Sequence, residues 1–240
     1  MITKTIAAFF VNVLLAGGAQ AALIDRGGGL IYDTDRNITW LADANLIASN
    51  TFGLGYNVYL GPHPDVPSGY PSNYLYEDGT ATWGAALHWI DAMNAANYLG
   101  YDDWRLPSAL NPDGSEPCGY LNCTGGELGH LFYDELGGNA NSSILNSEDP
   151  DLALFTNFQS YVYWYGEPYL PAGIGVNNVW NFRMDEGLQG LGSTNGQNLY
   201  VMAVRDGDVV AAAIPEPSTY AMFLAGLGLI GFMASRRKSC

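Results

Sequence analysis

The sequence predicts one α+β domain, residues 22–213, between two apolar terminal segments. The first observation is the order of the predicted elements, because strand patterns come first, two helical patterns follow and further strand patterns close the domain. The second is composition: aromatic residues make up 13% of the 240-residue chain, which is too many for a disordered protein. The third is continuity, since no internal repeat or charge run divides the central region, whose length suits one domain.

The first predicted element is a β-hairpin near the start of the domain. Residues 30–32 and residues 38–40 are apolar or β-branched, and they flank the turn-rich segment 33–37. Two short apolar runs around such a segment are typical of paired antiparallel strands.

Two helices are predicted in the middle of the domain. The first runs from Trp83 to about Leu99 with Thr82 as its N-cap, because apolar residues recur there at helical spacing. Its expected buried face consists of Trp83, Ala86, Leu87, Ile90 and Met93. The second helix is expected over residues 126–136. Its expected buried face consists of Leu128, Leu131, Phe132 and Leu136.

Three strands are predicted in the last third of the domain. Trp180, Phe182 and Met184 alternate with polar residues, which is the pattern of a half-buried strand. Residues 161–165 are rich in aromatic residues and favour a strand. Residues 199–205 predict one further strand.

The charges are acidic and unevenly placed. The chain has 9 basic and 24 acidic residues, for a formal net charge of −15. From Asp25 to Glu216 there are only five arginines and no lysine, while all the acidic residues lie in this stretch. A nucleic-acid partner is therefore excluded, because polyanion binding needs a basic face that displaces counterions. Strongly anionic polysaccharide is disfavoured by the same repulsion.

The N-terminal segment has the three parts of a secretory signal peptide. Lys4 is followed by a short apolar run, and Ala19-Gln20-Ala21 provides a cleavage site of the A-x-A type. The sequence therefore predicts that residues 1–21 are a signal peptide and that the rest is exported.

The C-terminal segment, residues 214–240, has the form of a membrane anchor. Residues 220–234 carry no charge and would span about 22 Å as a helix, somewhat less than a ~30 Å hydrocarbon core. The basic end, Arg236, Arg237 and Lys238, is expected to stop transfer and stay cytoplasmic. A buried core helix is disfavoured, because such a helix seldom ends a soluble domain with three cations.

This tail also carries a short motif in front of its apolar helix. Pro215, Glu216 and Pro217 precede the helix and the basic end, and the three parts together resemble the PEP-CTERM sorting signal of Gram-negative bacteria. The resemblance implies an exosortase partner, a membrane cysteine transpeptidase that cuts near the Pro-Glu-Pro motif. It also implies delivery to the cell surface or extracellular matrix, often in bacteria that produce exopolysaccharide.

Aromatic elements follow one another in a characteristic order along the central domain. They are Trp40-Leu41, the helix that begins at Trp83, residues 100–107, residues 163–164, residues 179–182 and residues 200–205. Together they resemble the Lcl C-terminal domain family of bacterial surface proteins, long a domain of unknown function. The resemblance implies an exported adhesive module with a C-type-lectin-like α+β fold. One member of the family binds sulfated glycans. This domain has no lysine, which disfavours a sulfated ligand here.

Cys118 and Cys123 are the two cysteines of the central domain. In an oxidising compartment they predict a disulfide that closes a small loop. The alternative is a Cys/Cys/His zinc site with His130, with Glu127 on the same helical face.

The Asp-Asp-Trp-Arg-Leu-Pro segment offers a candidate polar site. Asp102, Asp103 and Arg105 could line a pocket, or Arg105 could hold a carboxylate in a partly buried ion pair. Spacing alone leaves both interpretations open.

A candidate calcium loop lies in the turn of the predicted hairpin. Asp33, Asp35 and Asn37 have the opening spacing of such a loop, but the glycine and terminal glutamate of an EF-hand are missing. Turns select Asp and Asn for other reasons, so an ordinary hairpin turn is the alternative. No cofactor other than calcium is expected.

The functional prediction is a non-catalytic surface or matrix protein. The sequence has no nucleophile elbow, zinc-protease pair or phosphate loop. Its many Tyr and Trp side chains suit binding to a neutral exopolysaccharide, although most of them are expected to fill the core. The alternatives are a secreted glycan-acting hydrolase with an acidic active site, and a purely structural matrix component.

Deletion of residues 215–240 is expected to change sorting without unfolding the domain, because this segment is predicted to lie outside the core. Cell fractionation would follow the location of the chain, and circular dichroism its fold. A truncated chain that fails to fold would show that the tail belongs to the core.

Overall fold

The computed structural model describes residues 23–66, 73–169, 178–194 and 196–209. The predicted signal peptide and the predicted sorting tail therefore lie outside the described residues. Within the described part of the chain, no helix is both long and apolar enough to cross a membrane.

Strands dominate the described part of the chain. They are β1 (Leu23–Gly27), β2 (Leu30–Asp33), β3 (Ile38–Leu41), β4 (Thr80–Ala81), β5 (Tyr120–Leu121), β6 (Val162–Tyr169), β7 (Asn178–Arg183), β8 (Leu188–Ser193), β9 (Leu199–Tyr200) and β10 (Val204–Asp206). The helices are α1 (Trp83–Ala95) and α2 (Glu127–His130), and α2 continues into a π-helical turn, Leu131–Glu135. This mixed, sheet-rich architecture agrees with the predicted α+β class.

The smaller sheet has the strand order β1-β2-β3-β10 and is antiparallel throughout. The predicted hairpin is confirmed as β2 and β3, in a register that pairs Leu30 with Leu41 and Asp33 with Ile38. Its turn is stabilised by Asp33, whose Oδ1 accepts the backbone N–H groups of Asp35 and Arg36.

The larger sheet has the strand order β4-β9-β6-β7-β8-β5. The predicted aromatic strand and the alternating strand are confirmed as β6 and β7, which pair with each other antiparallel. The single strand predicted over residues 199–205 is wrong. The chain leaves the larger sheet after β9 and enters the smaller sheet at β10, and residues 201–203 between them are buried. A crossing segment buried in this way has the same continuous apolar pattern as a strand.

Helix α1 begins where the sequence predicts but ends earlier. Thr82 occupies the N-cap position, although its hydroxyl accepts the N–H of Tyr74 rather than one in the helix. The helix ends at Ala95 because Asn97 and Leu99 adopt left-handed backbone conformations, with φ of 49° and 55°.

The second predicted helix is confirmed, but as a short α-helix with a π-helical continuation. Its four predicted core residues, Leu128, Leu131, Phe132 and Leu136, are fully buried. Gly137 follows with φ of +61°, a left-handed conformation that glycine adopts without strain and that ends the helix.

The core lies on both faces of the larger sheet. Along β6, Trp164 packs into the cluster that includes α1, while its neighbours Tyr163 and Tyr165 pack into the cluster that includes α2. All three side chains are fully buried. The alternation of a strand thus places aromatic rings on both faces of a central strand. All six tryptophans of the chain are buried and contribute to packing.

The disulfide lies in the loop that precedes α2. Cys118 and Cys123 are bonded, with their Cα atoms 5.8 Å apart. The zinc alternative therefore does not apply to this structure, because both sulfur atoms are already bonded to each other.

Replacement of Cys118 by serine is expected to lower the free energy of unfolding by about 2 kcal/mol, because a cross-link over so short a loop restrains few unfolded conformations. Cys118 is exposed, so the substitution leaves the core packing intact. Urea unfolding of the oxidised protein would measure the loss. Two freely titrating thiols in the exported wild-type protein would contradict the expectation.

Candidate functional site

A cleft of about 620 Å³ opens between helix α1 and the segment that follows Trp104. We call it the acidic cleft, after its charged and imidazole side chains. They are His63, Asp65, Asp91, Arg105, Glu127 and Glu167. Its apolar lining comes chiefly from α1 and the same segment, namely Leu87, Ile90, Leu106 and Leu110. Four carboxylates face one guanidinium in this cleft, so its field is negative.

Arg105 forms the wall of the cleft through a forked ion pair. Its Nη1 and Nη2 donate to the two carboxylate oxygens of Glu127 at 2.8 and 2.7 Å. Its Nε and Nη2 also donate to Asp206 in β10, at 3.1 and 2.5 Å. Burial lowers the pKa of Arg105, but the bonds to Glu127 and Asp206 outweigh this and raise the pKa above its ordinary value. The guanidinium is therefore a permanent charge.

Two glutamates fix the backbone beside Arg105. Glu127, the first residue of α2, also accepts the N–H of Ser108 at 2.7 Å. Glu167 in β6 accepts the hydroxyl of Ser108 at 2.6 Å and the N–H of Ala109 at 2.7 Å. Charge-assisted bonds of this kind are about twice as strong as neutral ones. They hold one rim of the cleft in a single conformation.

The opposite rim is built around His63. Its Nδ1 accepts the N–H of Asp65 at 3.2 Å, and its Nε2 lies 3.0 Å from Oδ2 of Asp91. Because Nδ1 is an acceptor, the proton sits on Nε2 and is donated to Asp91. The imidazole is almost fully buried, whereas the Asp65 and Asp91 side chains are 82% and 65% exposed. These two carboxylates are open to a ligand.

The three residues of the predicted polar site do not lie together. They are Asp102, Asp103 and Arg105. Only Arg105 lines the cleft. Asp103 instead accepts from Nε and Nη2 of Arg205 at 2.7 and 2.8 Å, and this bond lowers the pKa of Asp103. Asp102 is exposed. The ion-pair interpretation of Arg105 describes the observed contacts.

The three side chains of the predicted calcium loop also differ in burial and in partners. Asp33 is fully buried and bonded to its own turn, Asp35 is exposed, and Asn37 accepts the hydroxyl of Tyr32 at 2.9 Å. Asp33 instead lies beside His130, whose Nε2 is 3.7 Å from its Oδ2.

The sequence analysis missed Glu167, Asp91 and Asp65 as cleft residues. They reach the cleft from different elements, and no local motif connects them with Arg105. The acidic balance of the domain is the one sequence signal that fits a cleft of this charge.

Fold and site together define a sheet-rich acidic domain with a polar cleft of ligand size. The comparisons with known proteins add its destination: the model of the PEP-CTERM protein-sorting motif matches residues 213–238. This match confirms the predicted sorting tail. The motif indicates sorting by an exosortase to an extracellular destination, with membrane anchoring by the C-terminal tail before processing. No curated protein and no solved structure matches the chain.

Replacement of Arg105 by glutamine is expected to lower the free energy of unfolding by about 2–3 kcal/mol, because it leaves Glu127 buried without its cation. Arg183→Gln provides a matched control, since that guanidinium forms a more exposed fork with Asp185 and its loss should cost under about 1 kcal/mol. Chemical denaturation of both variants checks this. Equal losses would mean that the Arg105 fork has no special role.

Proposed function

We propose that the domain is a non-catalytic binding module for a neutral exopolysaccharide, displayed at the cell surface or in the extracellular matrix after exosortase processing. The observation that carries this proposal is the charge of the acidic cleft. Exposed carboxylates accept hydrogen bonds from sugar hydroxyls, while their field repels sulfated, phosphorylated or uronic chains.

The cleft lining also suits a sugar ring in shape and polarity. A few polar groups converge on an apolar floor formed by Leu87, Ile90 and Leu110, which could contact the C–H faces of a sugar. Aromatic stacking contributes little in this cleft. Trp104 is the aromatic residue of the lining, and it is 2% exposed. Recognition in this proposal depends on carboxylates rather than on ring faces.

The bonding of the two cleft glutamates supports a binding role over catalysis. Every carboxylate oxygen of Glu127 and Glu167 accepts a hydrogen bond from Arg105, Ser108 or Ala109. A catalytic carboxylate has to contact the scissile bond, whereas the protein's own donors already occupy both of these side chains.

The resemblance to the Lcl C-terminal domain family supports the same proposal. Its most specific element includes Arg105, Leu106 and Pro107, and this element forms one rim of the cleft. Under this proposal the domain has a C-type-lectin-like fold and an adhesive role, with a neutral ligand in place of a sulfated one.

A glycan-acting hydrolase is the second candidate, because Glu127 and Glu167 both line the cleft. Release of reducing ends from matrix polysaccharide, abolished by Glu167→Gln, would favour it over the binding module.

The full chain, purified in detergent, is expected to bind neutral glycans on an array and to ignore sulfated ones. Asp65→Asn and Asp91→Asn should each weaken binding about tenfold, since each removes one charged acceptor. Asp102→Asn is the matched control, because that carboxylate is exposed and lies outside the cleft lining.

Two results would contradict the proposal. One is silence on every neutral glycan, and the other is equal weakening by Asp102→Asn.

A further inference from the structure

A cluster of buried ionisable side chains lies where α2 and its π-helical turn pack against the β2–β3 hairpin. Asp33, His130 and Glu135 have side chains that are 0%, 7% and 3% exposed. One potential ligand atom from each lies within 4.8 Å of the others. None of the three lines the acidic cleft. We call this group the His130 cluster.

The geometry at Nε2 of His130 is unusual for an ion pair. This atom lies 2.9 Å from Oε1 of Glu135 and 3.7 Å from Oδ2 of Asp33, yet it is buried without a hydrogen-bond partner. Glu135 lies within hydrogen-bond distance of the nitrogen but outside hydrogen-bond geometry, and Asp33 lies beyond that distance. Two ligand atoms on one metal ion, each about 2.0–2.2 Å from it, lie roughly 3–3.5 Å apart. Such spacing fits a shared ion.

The contact at the other ring nitrogen, Nδ1, fixes the orientation of the His130 ring and so the direction of Nε2. Nδ1 lies 2.9 Å from Oδ2 of Asp134, a carboxylate that accepts the Nδ1 proton. Nε2 is therefore the ring nitrogen left to coordinate an ion beside Asp33 and Glu135, and its proton would leave to solvent as the ion binds. A carboxylate behind a metal-binding histidine is the usual arrangement that fixes the ring and its tautomer.

Asp33 is equally well fixed. Its Oδ1 accepts the N–H groups of Asp35 and Arg36 at 3.1 and 2.9 Å, and Nε1 of Trp40 lies 3.4 Å from its Oδ2. These contacts hold Oδ2 on the side of His130. The cluster is therefore rigid before any ion arrives.

We propose that Asp33, His130 and Glu135 bind one divalent transition-metal ion of the zinc class. One imidazole and two carboxylates are ligands that such ions accept, whereas calcium takes oxygen ligands alone. The ion would neutralise two buried carboxylates and join the hairpin to α2. Nothing in this assignment depends on glycan binding, because the His130 cluster lies outside the cleft lining.

The experiment uses the full chain in detergent, stripped by a chelator and titrated with Zn²⁺ alone. We expect one ion per chain and a Zn²⁺-dependent rise in the unfolding temperature. Co²⁺ in place of Zn²⁺ should give visible absorption bands that report an N/O ligand set. Glu135→Gln should abolish both signals.

Asp134→Asn should weaken Zn²⁺ binding about 10–100-fold, as loss of a histidine's carboxylate partner does at other metal sites. Asp134 is 49% exposed, so this variant should fold even if substitutions inside the cluster do not. His63→Gln is the matched control, since His63 is also buried between two acidic residues, but both of those are exposed. It should keep full affinity.

Three results would overturn the proposal. The first is a wild-type unfolding temperature that does not respond to Zn²⁺. The second is equal loss of affinity in His63→Gln and Asp134→Asn. The third is a response to Ca²⁺ but not to Zn²⁺, which would point to oxygen ligands elsewhere.

Discussion

The fork between Arg105 and Glu127 is the interaction on which the architecture around the cleft depends. Arg105 joins α2, through Glu127, to β10, through Asp206. Its backbone also pairs with Val204 of β10 in both directions, at 2.8 and 3.0 Å. Two residues later, the carbonyl of Pro107 accepts an N–H from β6 in the other sheet. One short segment thus connects both sheets and forms a wall of the cleft.

The domain has few cationic side chains, and their pairing determines the charge of its surface. Each of the five arginines of the described region is already bonded to a protein oxygen: Arg26 to Asp208, Arg36 to Thr124, Arg105 to Glu127 and Asp206, Arg183 to Asp185, and Arg205 to Asp103. The remaining carboxylates therefore dominate the surface and the cleft. An extracellular domain of this kind repels polyanions, and hydroxyl-rich neutral chains or metal cations are the ligands that its charge favours.

Sequence periodicity predicted the elements whose signal is local. The β2–β3 hairpin, the buried face of α2 and most of that of α1 follow from the spacing of apolar residues over a few turns. On α1, Leu87 is only half-buried, and the fully buried Trp89 lies outside the predicted face. Contacts between distant residues could not be read in this way. Glu127 lies 22 residues from Arg105, and Glu167 lies 59 residues from Ser108. The same limit explains why Asp33 was placed in a calcium loop with its neighbours rather than beside His130.

A double-mutant cycle between Arg105 and Glu127 measures how strongly the two side chains hold the cleft wall together. The free energy of unfolding would be measured for wild type, Arg105→Gln, Glu127→Gln and the double variant. The structure predicts a coupling energy above about 1 kcal/mol, as expected for groups that satisfy each other in a partly buried site. Additive losses, within about 0.3 kcal/mol, would contradict the claim that this fork holds the cleft wall to the two sheets.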